Sequence, residues 1–156
     1  MTRMPSPSTF FVLAGLLLVA GCASGTAGLE GSRALAPTSG ALDKSHRDVG
    51  KAQFRGGNYG LAEKHFRKAT ELKPDDAEAW MGLAAAYDRL GRFDLADRAY
   101  QELLKKAGRR PEVVNNMGYS QLLRGDKEKA RQLLAEAKAG MTDTKLVDAN
   151  LKLLGG

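Results

Sequence analysis

Few side chains in this sequence are suited to catalysis or to metal binding. The chain has 156 residues and contains one cysteine, Cys22, and two histidines, His46 and His65. The histidines do not stand at metal-ligand spacing from each other or from acidic residues, and the sequence has no nucleophile motif and no phosphate-binding glycine loop. We therefore expect no catalytic residue, no cofactor and no metal site, and we expect that the protein is not an enzyme.

Cys22 follows closely on an apolar run. Residues 10–20 read FFVLAGLLLVA, and Arg3 and the α-amino group place positive charge before them. As a helix this run would span about 17 Å at ~1.5 Å per residue, which is too short for the ~30 Å hydrocarbon core of a bilayer. The length and the flanking charge are typical of a secretory signal, so residues 1–21 are predicted to be a signal peptide.

The residues VAGC, Val19 to Cys22, resemble the lipobox of bacterial lipoproteins. The resemblance implies that the chain is cut before Cys22 and that acyl chains are attached to this cysteine, which then anchors the protein in a membrane. In lipoproteins an aspartate after the cysteine favours the inner membrane. Ala23 at that position implies the periplasmic face of the outer membrane, within a bacterial cell envelope. A plain signal peptide with an incidental cysteine is the alternative.

The composition separates a tether from a folded part. Residues 23–41 read ASGTAGLEGSRALAPTSGA, a segment that cannot bury enough apolar surface to fold. We predict that residues 22–42 are a flexible, lipid-anchored tether. The formal net charge of the chain is +6 with basic and acidic residues interspersed, which indicates a solvated surface and favours an acidic partner. Nucleic acid is not expected to be the partner of an exported protein.

From residue 43 the sequence repeats with a period of thirty-four residues. AWMGLAAAYDRLGRFDLADRAYQEL aligns with VVNNMGYSQLLRGDKEKARQLLAEA at that offset. The period predicts three units, 43–76, 77–110 and 111–144. In each unit a glycine is expected to end the first helix in a left-handed conformation, and an alanine lets the second helix approach the first. These residues are Gly57, Gly91 and Gly125, and Ala62, Ala96 and Ala130.

The units resemble the tetratricopeptide repeat, a helix-turn-helix unit of this length. The resemblance implies an all-α fold, a short right-handed superhelical solenoid of three helix pairs. The C-terminal stretch TKLVDANLKLL keeps leucines on one helical face. It predicts a capping helix within residues 145–156, because the ends of a solenoid need a cover.

In tetratricopeptide domains the first helices of the pairs line a concave face that binds proteins. The family's clamp for a terminal carboxylate is only partly matched, by Arg47, Lys51 and Asn116, because Gly82 and Glu112 replace polar or basic groups. We therefore do not expect a complete clamp. The resemblance implies a groove with Arg47, Lys51, Phe54 and Arg55 from the first unit, Met81, Ala85, Asp88 and Arg89 from the second, and Asn115, Asn116, Tyr119 and Leu122 from the third.

The lipobox, the tether and the repeats together are similar to the small tetratricopeptide lipoprotein of tight-adherence (Tad or Flp) pilus assembly, the TadD type. The segment NNMGYSQLLRGDKEKARQLLAEA carries this resemblance most directly. It implies an outer-membrane adaptor that acts as an assembly factor or pilotin for a pilus or secretion machine, with a secretin or another component as its protein partner. The alternative is a cell-envelope scaffold that recruits peptidoglycan enzymes or outer-membrane biogenesis proteins.

Overall fold

The computed structural model of the protein describes residues 38–155, which form seven α-helices and no β-strand. These residues belong to one unit of the chain, residues 35–156. The predicted signal peptide, Cys22 and most of the predicted tether lie outside the described residues. No helix within residues 38–155 is long and apolar enough to cross a membrane. The helices are α1 (Ser39–Arg55), α2 (Tyr59–Leu72), α3 (Ala77–Arg89), α4 (Phe93–Ala107), α5 (Pro111–Arg124), α6 (Lys127–Gly140) and α7 (Lys145–Lys152).

The helices recur with the period of the sequence. α3, α5 and α7 begin at residues 77, 111 and 145, and α2, α4 and α6 begin at residues 59, 93 and 127, so successive members of each set start thirty-four residues apart. α1 packs on α2, α3 on α4, and α5 on α6. We call these pairs units one, two and three. The predicted all-α solenoid is confirmed, and α7 begins where the first helix of a fourth pair would begin.

α1 extends into the segment that was predicted to be a tether. It begins at Ser39, whereas the sequence placed residues 22–42 in the flexible segment. The backbone carbonyl of Thr38 accepts hydrogen bonds from the N–H groups of Ala41 and Leu42 at 2.9 and 3.1 Å, which closes the first turn. Alanine and leucine are strong helix formers. The predicted end of the tether is therefore wrong by about one helical turn, because composition averages over a segment and does not locate its boundary.

The turn inside each helix pair uses glycine in the left-handed conformation. Gly57, Gly91 and Gly125 have φ angles of +76°, +69° and +84°. A β-carbon is strained at these angles, so glycine is the residue that lets the chain reverse directly into the second helix. The predicted left-handed turns are confirmed.

The core follows the line of contact between successive helices. Ala62, Ala96 and Ala130 are fully buried, which confirms the predicted close approach of the second helix to the first. One cluster of buried apolar side chains runs from α2 to α5, and a second runs from α5 to α7. Met117 is partly buried against both clusters and connects them.

The ring of Phe66 lies between the first helices of units one and two. A β-carbon on Gly82 of α3 would stand 2.3 Å from Cε1 of this ring, and one on Gly50 of α1 would stand 2.9 Å from Cδ1. Both helices therefore need a residue without a side chain where they meet the ring. Leu134, two repeats after Phe66, abuts Gly118 in the same way, at 2.8 Å from a β-carbon placed there. Small residues opposite a large one thus recur along the solenoid.

Replacing Gly82 with alanine should destabilise the fold although alanine is the better helix former. Helix propensity favours alanine by about 1 kcal/mol, but overpacking a filled interior costs about 1–3 kcal/mol. We expect Gly82→Ala to lower the free energy of unfolding by about 1 kcal/mol or more in urea denaturation. Gly60→Ala is the control, because Gly60 lies in α2 with no atom within 4 Å of an added β-carbon. Equal effects of the two substitutions would contradict the packing of Phe66.

Candidate protein-binding groove

A cleft of about 260 Å³ opens between α1 and α3, the first helices of units one and two. It is smaller than the ~300–1,000 Å³ of typical small-molecule pockets. Its walls are largely apolar, and charged side chains stand among the residues around it. Five of the predicted groove residues meet here: Lys51, Phe54, Arg55, Met81 and Ala85, and the lining is completed by Phe66, Glu78 and Gly82.

Phe66 forms the bottom of the cleft, because its ring is almost fully buried and still lines the opening. It belongs to the second helix α2. Reasoning from the sequence assigned the groove to the first helices alone and therefore did not include it. Gly82 was the sequence signal that Phe66 reaches the groove. The equivalent residue of unit three, thirty-four positions later, is Asn116. A missing side chain at that position lets a residue from the second helix reach the groove.

Two of the predicted groove cations are already paired with acidic side chains of the next unit. Nη1 of Arg47 donates to Oδ2 of Asp76 at 2.6 Å, and Nζ of Lys51 donates to Oε2 of Glu78 at 3.0 Å. Asp76 also caps α3, since its Oδ1 accepts from the backbone N–H of Ala79 at 3.1 Å. Arg47 and Lys51 therefore connect unit one to the start of α3, which leaves less of their charge for a ligand.

Aromatic rings adjoin the opposite end of the cleft. Phe54, which lines the cleft, packs edge-on against Tyr59 with ring centroids 5.2 Å apart. The guanidinium carbon of Arg89 lies 4.3 Å from the centroid of the Tyr59 ring, within the range of a cation–π contact. Arg55 and Arg89 are the last residues of α1 and α3. Two cations thus stand at the C-terminal ends of the helices that form the cleft.

Asp88 and Asn115, both predicted to line the groove, are buried in the structure. Asp88 is 4% exposed, and its carboxylate accepts hydrogen bonds from the Tyr100 hydroxyl at 2.9 Å and the Ser120 hydroxyl at 2.7 Å. Asn115 is 1% exposed, and its Oδ1 accepts from Nδ2 of Asn150 at 3.0 Å. These two groove predictions are wrong. Both side chains point inward because they bind polar partners on other helices: Asp88 of α3 binds α4 and α5, and Asn115 of α5 binds α7.

Burial is the largest influence on the pKa of the Asp88 carboxyl. Burial raises the pKa of its carboxyl above the ordinary value, while hydrogen bonds from Ser120 and Tyr100 and the charge of Arg124 act in the opposite direction. Burial also raises the pKa of the Tyr100 hydroxyl well above its ordinary value. Tyr100 therefore keeps its proton and acts as a hydrogen-bond donor at the interface of units two and three.

The remaining predicted groove residues of unit three are partly exposed. The side chains of Asn116 and Tyr119 make no hydrogen bond to another residue within 38–155, although the backbone carbonyl of Asn116 accepts from the Tyr100 hydroxyl at 3.2 Å. Leu122 packs in part against the second core cluster. Asn116 and Tyr119 thus present an amide and a phenol that remain available to a ligand.

The two histidines pair with each other and do not line the cleft. Nδ1 of His46 in α1 and Nδ1 of His65 in α2 are 3.0 Å apart. Burial lowers the pKa of His65, and the charges of His46 and Lys64 act in the same direction. Among residues 38–155 no group of three or more His, Cys, Asp or Glu side chains could hold a metal ion. The pair is a contact between the helices of unit one.

The comparison with protein families identifies the repeat. Residues 54–115 match the family model described as tetratricopeptide repeat. Residues 54–115 therefore carry the tetratricopeptide repeat. The matched range runs from the end of α1 into α5 and contains all of unit two.

Known proteins resemble parts of this chain. Its fold is similar to that of pilF of Pseudomonas aeruginosa, with a TM-score of 0.63 and 28% identity over 75% of this chain and 54% of that chain. It is also similar to the type III secretion chaperone SycD of Yersinia enterocolitica in complex with a peptide of the translocator YopD, with a TM-score of 0.59 and 20% identity over 72% of this chain and 91% of that chain. Tetratricopeptide repeat protein 37 of Xenopus laevis is 31% identical over 101 residues, which are 65% of this chain and 6% of that protein. The chain therefore spans about half of pilF and a small part of this curated relative.

Removing the carboxylate of Asp88 should destabilise the helical domain. The hydroxyls of Tyr100 and Ser120 would lose their acceptor in the interior, and an unmade buried hydrogen bond costs about 1–3 kcal/mol. We expect Asp88→Ala to lower the free energy of unfolding by roughly 2–3 kcal/mol in urea denaturation. Asp97→Ala is the control: Asp97 binds Arg124 at 2.6 Å, but its side chain is 48% exposed, so a loss under about 1 kcal/mol is expected. Equal losses in the free energy of unfolding of the two variants would mean that the buried hydrogen bonds of Asp88 do not stabilise the fold.

Proposed function

We propose that this protein is an adaptor that binds an extended segment of a partner protein along the first helices of its repeats. The observation that carries the proposal is the cleft between α1 and α3, which has an apolar bottom and charged side chains at its edge. Its volume of about 260 Å³ suits a side chain of a protein segment better than a drug-sized molecule. A protein of the same fold, SycD, is in complex with a peptide of YopD.

Unit three would contact the backbone of the same segment. The amide of Asn116 can both donate and accept hydrogen bonds, so it can satisfy a peptide group of an extended chain. The ring of Tyr119 offers apolar surface with a polar tip, a combination that is enriched at protein interfaces. The partner would therefore be held by an apolar side chain in the cleft and by polar contacts along α5.

We further propose that the adaptor is a lipoprotein on the periplasmic face of the outer membrane and serves as an assembly factor or pilotin for a pilus or secretion machine of the Tad type. The support is the lipobox-like VAGC at residues 19–22, followed by a short tether and a repeat domain. A lipidated Cys22 would keep the groove close to a membrane-embedded partner such as a secretin.

Replacing Cys22 with alanine should abolish lipidation. Without a thiol at residue 22 no diacylglycerol can be attached, so the precursor should stay uncut and the protein should leave the outer-membrane fraction. Metabolic labelling with a fatty-acid analogue, followed by membrane fractionation, measures both effects. Ala23→Ser is the control, because it changes the next residue and keeps the thiol. Equal label in Cys22→Ala and in the unaltered chain would remove the lipoprotein proposal.

Truncating Asn116 and Tyr119 together should weaken partner binding without unfolding the protein. Neither side chain is hydrogen-bonded within residues 38–155, so no protein group loses a hydrogen-bond partner in Asn116→Ala/Tyr119→Ala. Each truncation should cost about 1–3 kcal/mol of binding free energy if the side chain contacts the partner. The measurement is capture of envelope proteins from detergent extracts, with helical content by circular dichroism alongside.

Lys68→Ala is the control for this double variant. Lys68 lies on the second helix α2, is half-exposed and bonds only Glu71 at 3.2 Å, a surface contact of little energetic value. Its loss should leave both capture and helical content unchanged. Unchanged capture by the double variant, with its fold intact, would exclude this part of the groove and favour another face or the tether.

A further inference from the structure

We infer that the partner segment bound by the groove combines one bulky apolar side chain with nearby acidic side chains, the apolar group entering the cleft and the carboxylates meeting Arg55 and Arg89. This inference rests on the proposed function, because it assumes that the groove between the first helices binds a protein segment. It goes beyond that function by naming the chemistry of the segment and the end of the cleft that its carboxylates face.

The apolar requirement follows from the lining of the cleft. Phe66 closes the bottom, and Phe54, Met81 and Ala85 form walls that offer no hydrogen-bonding side chain. A polar side chain placed against these apolar residues would lose its hydration without gaining a hydrogen bond from them, which is unfavourable. Gly82 has no side chain, so the Phe66 ring can reach the bottom of the cleft. An aliphatic or aromatic side chain is therefore the group that gains most from binding.

The acidic requirement follows from the distribution of charge around the cleft. Lys51 and Glu78 lie across it and neutralise each other at 3.0 Å. Arg55 and Arg89 form no ion pair with any residue within 38–155. They hold the same position in successive units, thirty-four residues apart at the ends of α1 and α3. The uncompensated charge at this end of the cleft is therefore positive, and it favours carboxylates on the ligand.

The aromatic cluster links the two requirements. Arg89 lies over the ring of Tyr59, Tyr59 contacts Phe54, and Phe54 lines the cleft. The cationic site and the apolar site thus adjoin each other along the C-terminal ends of α1 and α3. A segment whose apolar residue fills the cleft would place residues on one side of it beside the two guanidinium groups.

The carboxylates belong to side chains within the segment, not to its C-terminus. Arg47 and Lys51, the unit-one residues that would grip a terminal carboxylate, are bound to Asp76 and Glu78. Arg55 and Arg89 stand at the helix ends, where a chain can continue past them. The ligand is therefore an internal acidic and apolar stretch of a protein.

Selection from a peptide library tests the composition of the segment. Random linear peptides, displayed inside a loop so that neither terminus is free, are selected on the purified full chain in detergent. We expect the enriched peptides to carry a large apolar residue close to aspartate or glutamate, in excess over the unselected library. The binding of one enriched peptide is then measured by fluorescence anisotropy for the unaltered chain and for each variant.

Three variants separate the two sites. Arg55→Ala/Arg89→Ala should weaken binding about five- to tenfold, with a smaller loss at high salt because exposed charges are screened. Lys64→Ala/Arg98→Ala is the matched control: it removes two exposed cations that are also one repeat apart, on the second helices, and should change binding less than about twofold. Ala85→Leu fills the cleft and should weaken binding about tenfold or more with helical content retained.

The outcomes distinguish this inference from the proposed function. The inference would be overturned, with the groove remaining a binding site, if the enriched peptides were basic or showed no preference for acidic residues. Equal binding by Arg55→Ala/Arg89→Ala and by its control would have the same consequence. Enrichment only in a second library with free C-termini would replace it with recognition of a terminal carboxylate. Unchanged binding by Ala85→Leu, or no enriched peptide at all, would overturn the groove proposal itself.

Discussion

The contact of the Phe66 ring with Gly50 and Gly82 determines how units one and two meet. The ring extends from α2 into the space between α1 and α3, and these helices can approach it only because they have no β-carbon at the two glycines. The same ring is part of the core and the bottom of the cleft. Stability and the shape of the groove therefore depend on one packing contact, and a change in either is coupled to the other.

Units two and three meet through polar groups at the equivalent position. Tyr100 stands one repeat after Phe66, and its hydroxyl binds Asp88 and the backbone carbonyl of Asn116. Ser120 completes the network from α5. The backbone geometry of the repeat is thus conserved along the chain while the chemistry of its interfaces changes. As a result the interface is apolar between units one and two and polar between units two and three.

The sequence predicted the backbone more completely than the side chains. The period of thirty-four residues, the turn glycines and the buried alanines follow from steric rules that act on one residue at a time, and the structure agrees with them. Asp88 and Asn115 were misplaced because their orientation depends on partners thirty or more residues away, Ser120 and Asn150. The part played by Phe66 was missed because it depends on Gly50 and Gly82, which lie on two other helices. The assignment of particular groove residues to partner binding stays a prediction.

The packing of α7 has a consequence for local opening. α7 takes the place of a first helix but packs mainly against α6, where Asp148 pairs with Lys138 at 2.8 Å, and Asn150 donates a hydrogen bond to Asn115 in α5. It leaves Leu146 and Leu153 61% and 57% exposed. In a linear array each element is held only by its neighbours. The amide protons of α7 should therefore exchange with solvent through local fraying, well before those of α3 and α4. Within residues 38–155 α7 should thus open first, and each opening briefly uncovers the apolar second core cluster and the buried amide of Asn115.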